Sequence, residues 1–414
     1  MSGVHILRWA HGGDGVAVPE TGPLAGTIVF VPESVPGDVV DVRLQERKER
    51  WARGRIARVV TPSPERVAPP CELQGRCGGC PWMAGTPAAQ ARSREAILRG
   101  ELGKRLGAAL ADTHVALRES PRQLGYRLRV RMGFEVAGGR VTLGFRGKKS
   151  HALVDVGHCA IADPAIDAAL PAVREVLAAR FAGGARAGRV TLLAGDAVTS
   201  SARAVAGWIE PEGGEGFGFG PSEVRVAFGR FSQVLSPRAF AQANAEVTGQ
   251  ILDVVEAWAR EARVGHEEAM AVELFAGGGT LTMALWAAGW RVTAYEVDGT
   301  ARAAFETTRE AQGVPVERGS WHAADLFIGP PWPVPERPHL VVLDPPREGA
   351  KDVIGWVAAS AAAEVLYVSC DLATGLRDVA TLVQAGFRLD DVVGFDMFPH
   401  SGHQEVIFRL RRVG

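Results

Sequence analysis

Cys370 ends the apolar run Val365-Leu366-Tyr367-Val368-Ser369 and is followed by Asp371. A thiol at the end of a buried strand is either a small core residue or a nucleophile, and its neighbours decide between the two. The candidate neighbours carry carboxylates. Asp344-Pro345-Pro346-Arg347 ends a second apolar run, and Glu405 closes the segment Asp396-Met397-Phe398-Pro399-His400-Ser401-Gly402-His403-Gln404-Glu405. A carboxylate held beside a nucleophile can take or give a proton. His400 and His403 taken alone read as loop histidines.

A second constellation begins at Glu273-Leu274-Phe275-Ala276-Gly277-Gly278-Gly279-Thr280, where a strand turns into a helix. Glycines at such a turn let a ligand approach the backbone at the carboxyl edge of a sheet. Without a ligand the same turn is simply tight. The following strand ends in Tyr295-Glu296-Val297-Asp298, and Glu296 lies 23 residues after Glu273. An acid there can accept hydrogen bonds from both hydroxyls of a ribose. Asp325 follows the next strand-like stretch. Gly277-Gly278-Gly279 is a poor match to G-x-G-x-x-G, which favours S-adenosylmethionine over a dinucleotide.

The chain has five cysteines, and four stand apart from Cys370. Cys71-x5-Cys77-x2-Cys80-Pro81 supplies three close thiols, with Cys159 far downstream. An odd count, with no export signal visible, points to metal binding or catalysis rather than a disulfide scaffold. By spacing, the four suit either a [4Fe-4S] cluster or zinc, with His151 and His158 flanking the last cysteine.

Three stretches must position these groups. Residues 1–62 alternate apolar and polar in five short runs broken by glycine and proline, which suits a small β-barrel of the oligonucleotide-binding type. The runs Thr61-Pro62-Ser63-Pro64 and Ala68-Pro69-Pro70 read as a linker. Residues 63–235 read as a mixed α+β domain carrying the cysteine cluster, with helices expected from about Pro87 to Gly107 and from about Ala165 to Phe181. From 236 to 414 a helix over roughly Phe240 to Ala259 is followed by buried strands alternating with helices, the signature of a doubly wound parallel sheet.

With 414 residues, 47% apolar and 22% charged, the chain is long enough for two or three globular domains. No stretch of ~20 apolar residues appears, so no membrane partner is expected, and the N-terminus lacks the features of a signal peptide. A cytoplasmic location follows as the default. The net charge of -1 argues against a uniformly basic nucleic-acid binder. Its distribution says more. Arg43 to Arg66 carries eight basic against three acidic residues, and Arg118 to Lys149 nine against two. Such stretches are either solvated faces or one phosphate-facing region.

Together these motifs resemble the RNA 5-methyluridine methyltransferases, whose members modify 23S rRNA and tRNA. The resemblance covers nearly the whole chain. It is carried by Phe240-Ala241-Gln242-Ala243-Asn244, the glycine turn, Asp344-Pro345-Pro346-Arg347, Ser369-Cys370 and the closing segment to Glu405. It implies a TRAM-like, RNA-binding N-terminal barrel and a C-terminal Rossmann-like methyltransferase domain. It further implies Cys370 as nucleophile and Glu405 as base in methylation of uridine carbon 5, with Gln242, Phe275, Thr280, Glu296, Asp325 and Asp344 around S-adenosylmethionine. The cysteine spacing of family members implies a [4Fe-4S] cluster on Cys71, Cys77, Cys80 and Cys159. The barrel and closing segment favour 23S rRNA over tRNA as the partner.

Four positions depart from the family. Asp371-Leu372 replaces the usual Asn-Pro, Thr280 a common asparagine and Ala276 a common cysteine. A carboxylate beside the nucleophile opposes thiolate formation if it points inward. The competing reading is a non-catalytic RNA-binding or ribosome-assembly protein with a degenerate methyltransferase domain. A DNA cytosine-5 methyltransferase, whose nucleophile sits in an early proline-cysteine loop, fits less well.

Overall fold

A computed structural model describes residues 1–148, 150–265, 270–329 and 337–413. Lys149, the last residue of the second basic stretch, lies outside them.

Six strands, one more than expected, make the N-terminal sheet: β1 (Val4–His5), β2 (Arg8–Trp9), β3 (Gly15–Ala17), β4 (Ile28–Val31), β5 (Val39–Arg47) and β6 (Trp51–Thr61). Their order is β1-β5-β6-β4-β3-β2. The first expected run splits in two for a physical reason. Ile6 N–H donates to the Asp38 carbonyl at 2.9 Å, while Leu7 N–H donates to the Val16 carbonyl at 2.8 Å. One extended segment thus changes partners between the two edges and closes the sheet into a barrel, leaving little unpaired edge. The Pro-rich run that follows is pinned rather than free. Buried Asp38 accepts from Ser63 N–H at 2.9 Å and pairs with Arg66 at 2.5 Å.

Next come α1 (Pro87–Leu106), capped by the Thr86 hydroxyl, and β7 (His114–Arg118). The central sheet is antiparallel. It comprises β8 (Arg129–Ala137), β9 (Arg140–Arg146), β10 (Leu153–Asp155), β11 (Arg186–Ala197), β12 (Arg203–Pro211), β13 (Phe217–Phe219), β14 (Val224–Phe228) and β15 (Phe231–Leu235). Helix α2 (Pro164–Arg180) buries Ile166, Leu170, Val173 and Leu177 against it, an i, i+4, i+7, i+11 stripe.

The third sheet begins after α3 (Ala245–Ala262). Its strands are β16 (Met270–Leu274), β17 (Arg291–Glu296), β18 (Gly319–Ala323), β19 (Leu340–Leu343), β20 (Glu364–Ser369), β21 (Phe387–Phe395) and β22 (Glu405–Arg412). The order is β18-β17-β16-β19-β20-β22-β21-β7. Helices α4 (Thr280–Ala287), α5 (Ala301–Ala311), α6 (Ile354–Ala359) and α7 (Leu372–Gln384) connect them. Every residue of β19 and β20 is buried, as a parallel strand covered on both faces must be.

Two features were not expected. β7, from within the 63–235 stretch, adds to this sheet parallel to β21, and Leu98 and Leu102 of α1 share a core with Val272 and Val365. The helix expected from Phe240 starts only at Ala245. The Asn244 side chain accepts from Val247 N–H at 3.3 Å and so sets the cap there, leaving Phe240 to Ala243 as an extended loop. Among the described residues, no helix is long and apolar enough to cross a membrane.

Candidate active site

Strand register brings the expected residues to one edge. Leu274 pairs with both Tyr295 and Leu343, and Glu296 pairs with Ala323. Ser369 pairs with Val406 in antiparallel register, which sets Cys370 opposite Glu405. Along the edge, in strand order, stand Asp325, Glu296, Phe275, Asp344, Cys370 and Glu405. Five steps of ~4.8 Å make this a row of roughly 24 Å. Gln242 reaches the row from the loop before α3 and donates to Asp344 Oδ2 at 3.4 Å. Thr280 opens α4.

The half of the row around the glycine turn is shaped by backbone. Phe275 has φ 60°, Gly277 52° and Gly279 82°, a tight left-handed turn into α4. A Cβ on Gly279 would lie 2.8 Å from Phe305 Cδ2, so only glycine fits against α5. Glu296 accepts N–H bonds from Gly277 at 3.0 Å, Val297 at 2.8 Å and Asp298 at 2.9 Å. Those amides hold its carboxylate at the turn with lone pairs left for a ligand. Thr280 Oγ1 donates to Gln233 Oε1 at 3.0 Å, and Gln233 Nε2 donates to the Gly278 carbonyl at 2.5 Å. Asp325 accepts from Phe327 N–H at 2.9 Å, and the Phe327 ring meets Phe275 with centroids 5.8 Å apart.

The other half is an acidic pocket with a thiol in it. Burial, then Glu405 and Asp344, push the Cys370 thiol up to about 12, with Arg347 pulling the other way. Burial raises both Glu405 and Asp344, and the Asp344 charge raises Glu405 further. Glu405 is 5% exposed, and its Oε2 has no hydrogen-bond partner among the described residues. A buried carboxylate oxygen left unpaired is costly unless it has work to do. Glu273, in the same region, is raised to about 8 by burial, with Asp344 and Glu296 adding to it against the hydrogen bond from Thr282. So many buried acids repel one another and favour a cationic ligand.

Asp371 does not face the thiol. It is the N-cap of α7, accepting from Ala373 N–H and Thr374 N–H, both at 3.1 Å. Asparagine and aspartate cap about equally well. Leu372 takes the first helical position, 3% exposed, where proline also fits.

Sequence reading missed the braces of the closing segment. Gln90, fully buried in α1, accepts from His400 N–H at 2.8 Å and contacts His400 Nδ1 at 3.1 Å. Arg94 pairs with Asp396 at 2.9 Å, both nearly inaccessible, and donates to the Ser401 carbonyl at 3.0 Å. His400 Nε2 lies 2.9 Å from the Gln123 carbonyl, and burial depresses His400 to about 4, so it stays neutral and structural. A signal existed in principle: α1 reads as a polar helix, yet Gln90 and Arg94 lie one turn apart on its buried face.

The four remaining cysteines converge. Cys71, Cys80 and Cys159 pack around Met83, Tyr126 and Ile161, and none of the five cysteines is in a disulfide. Burial raises Cys80 to about 12, and the charges of Cys159, Cys77 and Cys71 add to it. Among the described residues, no group of three or more His, Cys, Asp or Glu is arranged to hold a metal ion. The flanking histidines face elsewhere: His158 Nδ1 lies 2.6 Å from Asp167 Oδ2, and His151 Nδ1 3.3 Å from Arg146.

No family model matches the chain. It is 32% identical to the 23S rRNA (uracil(1939)-C(5))-methyltransferase of Halomonas elongata, over 98% of this chain and 88% of that one. Its identity to the enzyme of the same name from Chromohalobacter salexigens is 30%, over 99% and 89% of the two chains. The crystal structure of Pyrococcus abyssi tRNA (uracil-54, C5)-methyltransferase with S-adenosyl-L-homocysteine superposes with a TM-score of 0.72 at 21% identity, over 99% of this chain and 100% of that one, which shows a common fold. With its edge row in place and identity sustained from end to end, the chain belongs to the RNA uracil-C5 methyltransferase family.

Proposed function

We propose that this protein methylates carbon 5 of a uridine in RNA, with 23S rRNA as the substrate, through a covalent adduct on Cys370. The observation that carries the reading is the register that sets Cys370 opposite Glu405 on neighbouring strands, on the edge that also bears the glycine turn.

S-adenosylmethionine, when bound, supplies an electrophilic methyl group on a sulfonium cation. Glu296, Phe275, Thr280, Asp325 and Gln242 suit its binding, and the pocket's acids complement its charge. The Cys370 thiolate adds to carbon 6 of uracil, which makes carbon 5 enolate-like and able to take the methyl as its bond to the donor sulfur breaks, leaving that sulfur a neutral thioether. Glu405 then removes the proton from carbon 5, and the thiolate leaves as the ring double bond re-forms. Asp344, beside both groups, holds the base. Carbon 6 must be reached from the face of the ring, so the uridine enters unpaired. Burial and the two neighbouring acids favour the Cys370 thiol over the thiolate, and positive charge entering the pocket works in the opposite direction. The non-catalytic alternative drew on Asp371-Leu372, and helix capping gives that pair an ordinary role.

Cys71, Cys77, Cys80 and Cys159 hold a [4Fe-4S] cluster in this reading. The grouping of the four thiols supports a shared metal site, and the cysteine spacing that resembles that of family members favours a cubane over zinc. Its role is structural, because methyl transfer has no redox step. The protein acts in the cytoplasm.

Cys370→Ala is expected to abolish methyl transfer while leaving S-adenosylmethionine binding by calorimetry unchanged. RNA carrying 5-fluorouridine at the target is expected to remain covalently attached to Cys370 of the wild-type protein, because no proton can be removed from carbon 5. Full activity in Cys370→Ala would end the mechanism.

A further inference from the structure

The two basic stretches, separated by 51 residues in sequence, meet in space. A cleft of about 590 Å³ opens between the barrel, the cysteine loop and β9, and its walls include Arg53 from the first stretch and Arg146 and Lys148 from the second. Arg53 lies 3.0 Å from Asp14 through Nη2, but its Nε and Nη1 are buried without a hydrogen-bond partner. Lys148 Nζ, also buried, is ion-paired with the same Asp14 at 3.7 Å but has no partner at hydrogen-bond distance. Two cations thus share one carboxylate, and three buried donor nitrogens on one cleft remain without a hydrogen bond, which suits an anion with several oxygens.

The rest of the wall suits what such an anion would be attached to. Gly78 and Gly79 leave backbone exposed without side chains. Phe30, with the Arg53 guanidinium 5.8 Å from its ring centre, and Phe145 offer aromatic faces. Aromatic faces beside phosphate-binding cations are the equipment of single-stranded nucleic-acid sites. The volume falls within the range of small-ligand pockets. The cleft also adjoins the methyl-transfer site. Gly12, on its wall, follows His11, whose ring meets His403 edge-on at 5.9 Å, two residues before Glu405.

We propose that this cleft is a second RNA subsite, which takes an unpaired nucleotide near the target uridine: its phosphate on Arg53 and Lys148, its base on Phe30 or Phe145. The proposal rests on the reading of RNA as substrate. Asp14 holds the two cations side by side, and the cysteine loop fixes one wall, because Lys148 N–H donates to the Arg76 carbonyl at 3.2 Å and Gly78 N–H to the Arg146 carbonyl at 3.3 Å.

The test uses the full chain and a fluorescein-labelled single-stranded oligoribonucleotide, with binding followed by anisotropy over a series of KCl concentrations. Arg53→Gln and Lys148→Gln are each expected to weaken binding about tenfold, with little dependence on sequence, and to lower the salt slope by ~0.7 for each phosphate no longer neutralised. RNA substituted with 5-iodouridine is expected to photocrosslink to Phe30 or Phe145 in the unaltered protein, which reads the site without any substitution. Unchanged affinity and slope in both variants, or crosslinks confined to other segments, would overturn it. So would saturable protection of Lys148 from acylation by uridine monophosphate that RNA does not reproduce, since the cleft would then serve a free nucleotide. Methyl transfer from labelled S-adenosylmethionine to RNA by the wild-type protein separates the two readings. Activity without a variant effect on binding removes the subsite alone. A variant effect on binding without activity removes the methyltransferase reading alone.

Discussion

At the residue scale, the site is governed by unfavourable burial. Cys370, Glu405 and Asp344 are pushed toward their protonated forms because each is desolvated, and the Asp344 charge raises Glu405 while both carboxylates raise Cys370. A base with a raised pKa binds its proton strongly once it is ionised, which suits removal of a proton from carbon. Asp371 stands outside this group because helix amides hold it. Asp371→Asn is therefore expected to leave the methylation rate within about twofold, since asparagine caps as well as aspartate. Asp371→Ala should cost about 1 kcal/mol of stability in chemical denaturation, the usual cost of a lost cap. A large rate increase in Asp371→Asn would show instead that its charge opposes the thiolate.

Elements matter through the segment that joins β21 to β22. It carries Glu405 and is clamped from two sides: Gln90 and Arg94 of α1 hold His400, Ser401 and Asp396, while the barrel covers Gly402. Trp9 of β2 stacks on Trp82 at 4.7 Å between ring centres, and Trp82 N–H donates to the His400 carbonyl at 2.9 Å. A Cβ on Gly402 would stand 2.4 Å from the His11 carbonyl oxygen and 3.1 Å from Trp82 Cζ2. Backbone cannot yield as a flexible side chain can. Gly402→Ala is expected to cost about 1–3 kcal/mol through overpacking. It should also lower the single-turnover methylation rate at least tenfold or so, through misplacement of Glu405, with donor affinity unchanged. A rate equal to wild type would mean that the barrel does not position the base.

For the whole molecule, the cysteine loop is where the three parts meet. Gly13 of the barrel packs so closely on Pro81 that a Cβ would lie 2.7 Å from Pro81 Cγ, and Cys77 bridges to Gly147 beside β9. A cluster here would tie barrel to central sheet and set the wall of the basic cleft. Anaerobically purified protein is expected to contain about four irons per chain with matching acid-labile sulfide. Cys77→Ser is expected to lose them, lower Tm and weaken RNA binding, with donor binding intact by calorimetry. A colourless, zinc-containing wild-type protein would refute the cluster.

Much of the local structure of the candidate site was legible without the fold, because its signals are local. A strand ending in Cys370, a glycine turn before Thr280 and an acid at Glu296 each depend on a few adjacent residues and on strand periodicity. Helix α1 was readable from end to end for the same reason, yet its attachment was not: whether Leu98 packs on its own neighbours or on Val272 is a long-range matter. Tertiary structure alone decided the register that sets Cys370 opposite Glu405, the addition of β7 to the catalytic sheet, the inward turn of Gln90 and Arg94 and the meeting of two distant basic stretches. Asp371 shows the difference at one position. Its type counted against a thiolate at Cys370, and only the start of α7 shows that its charge is directed into helix amides rather than at the thiol.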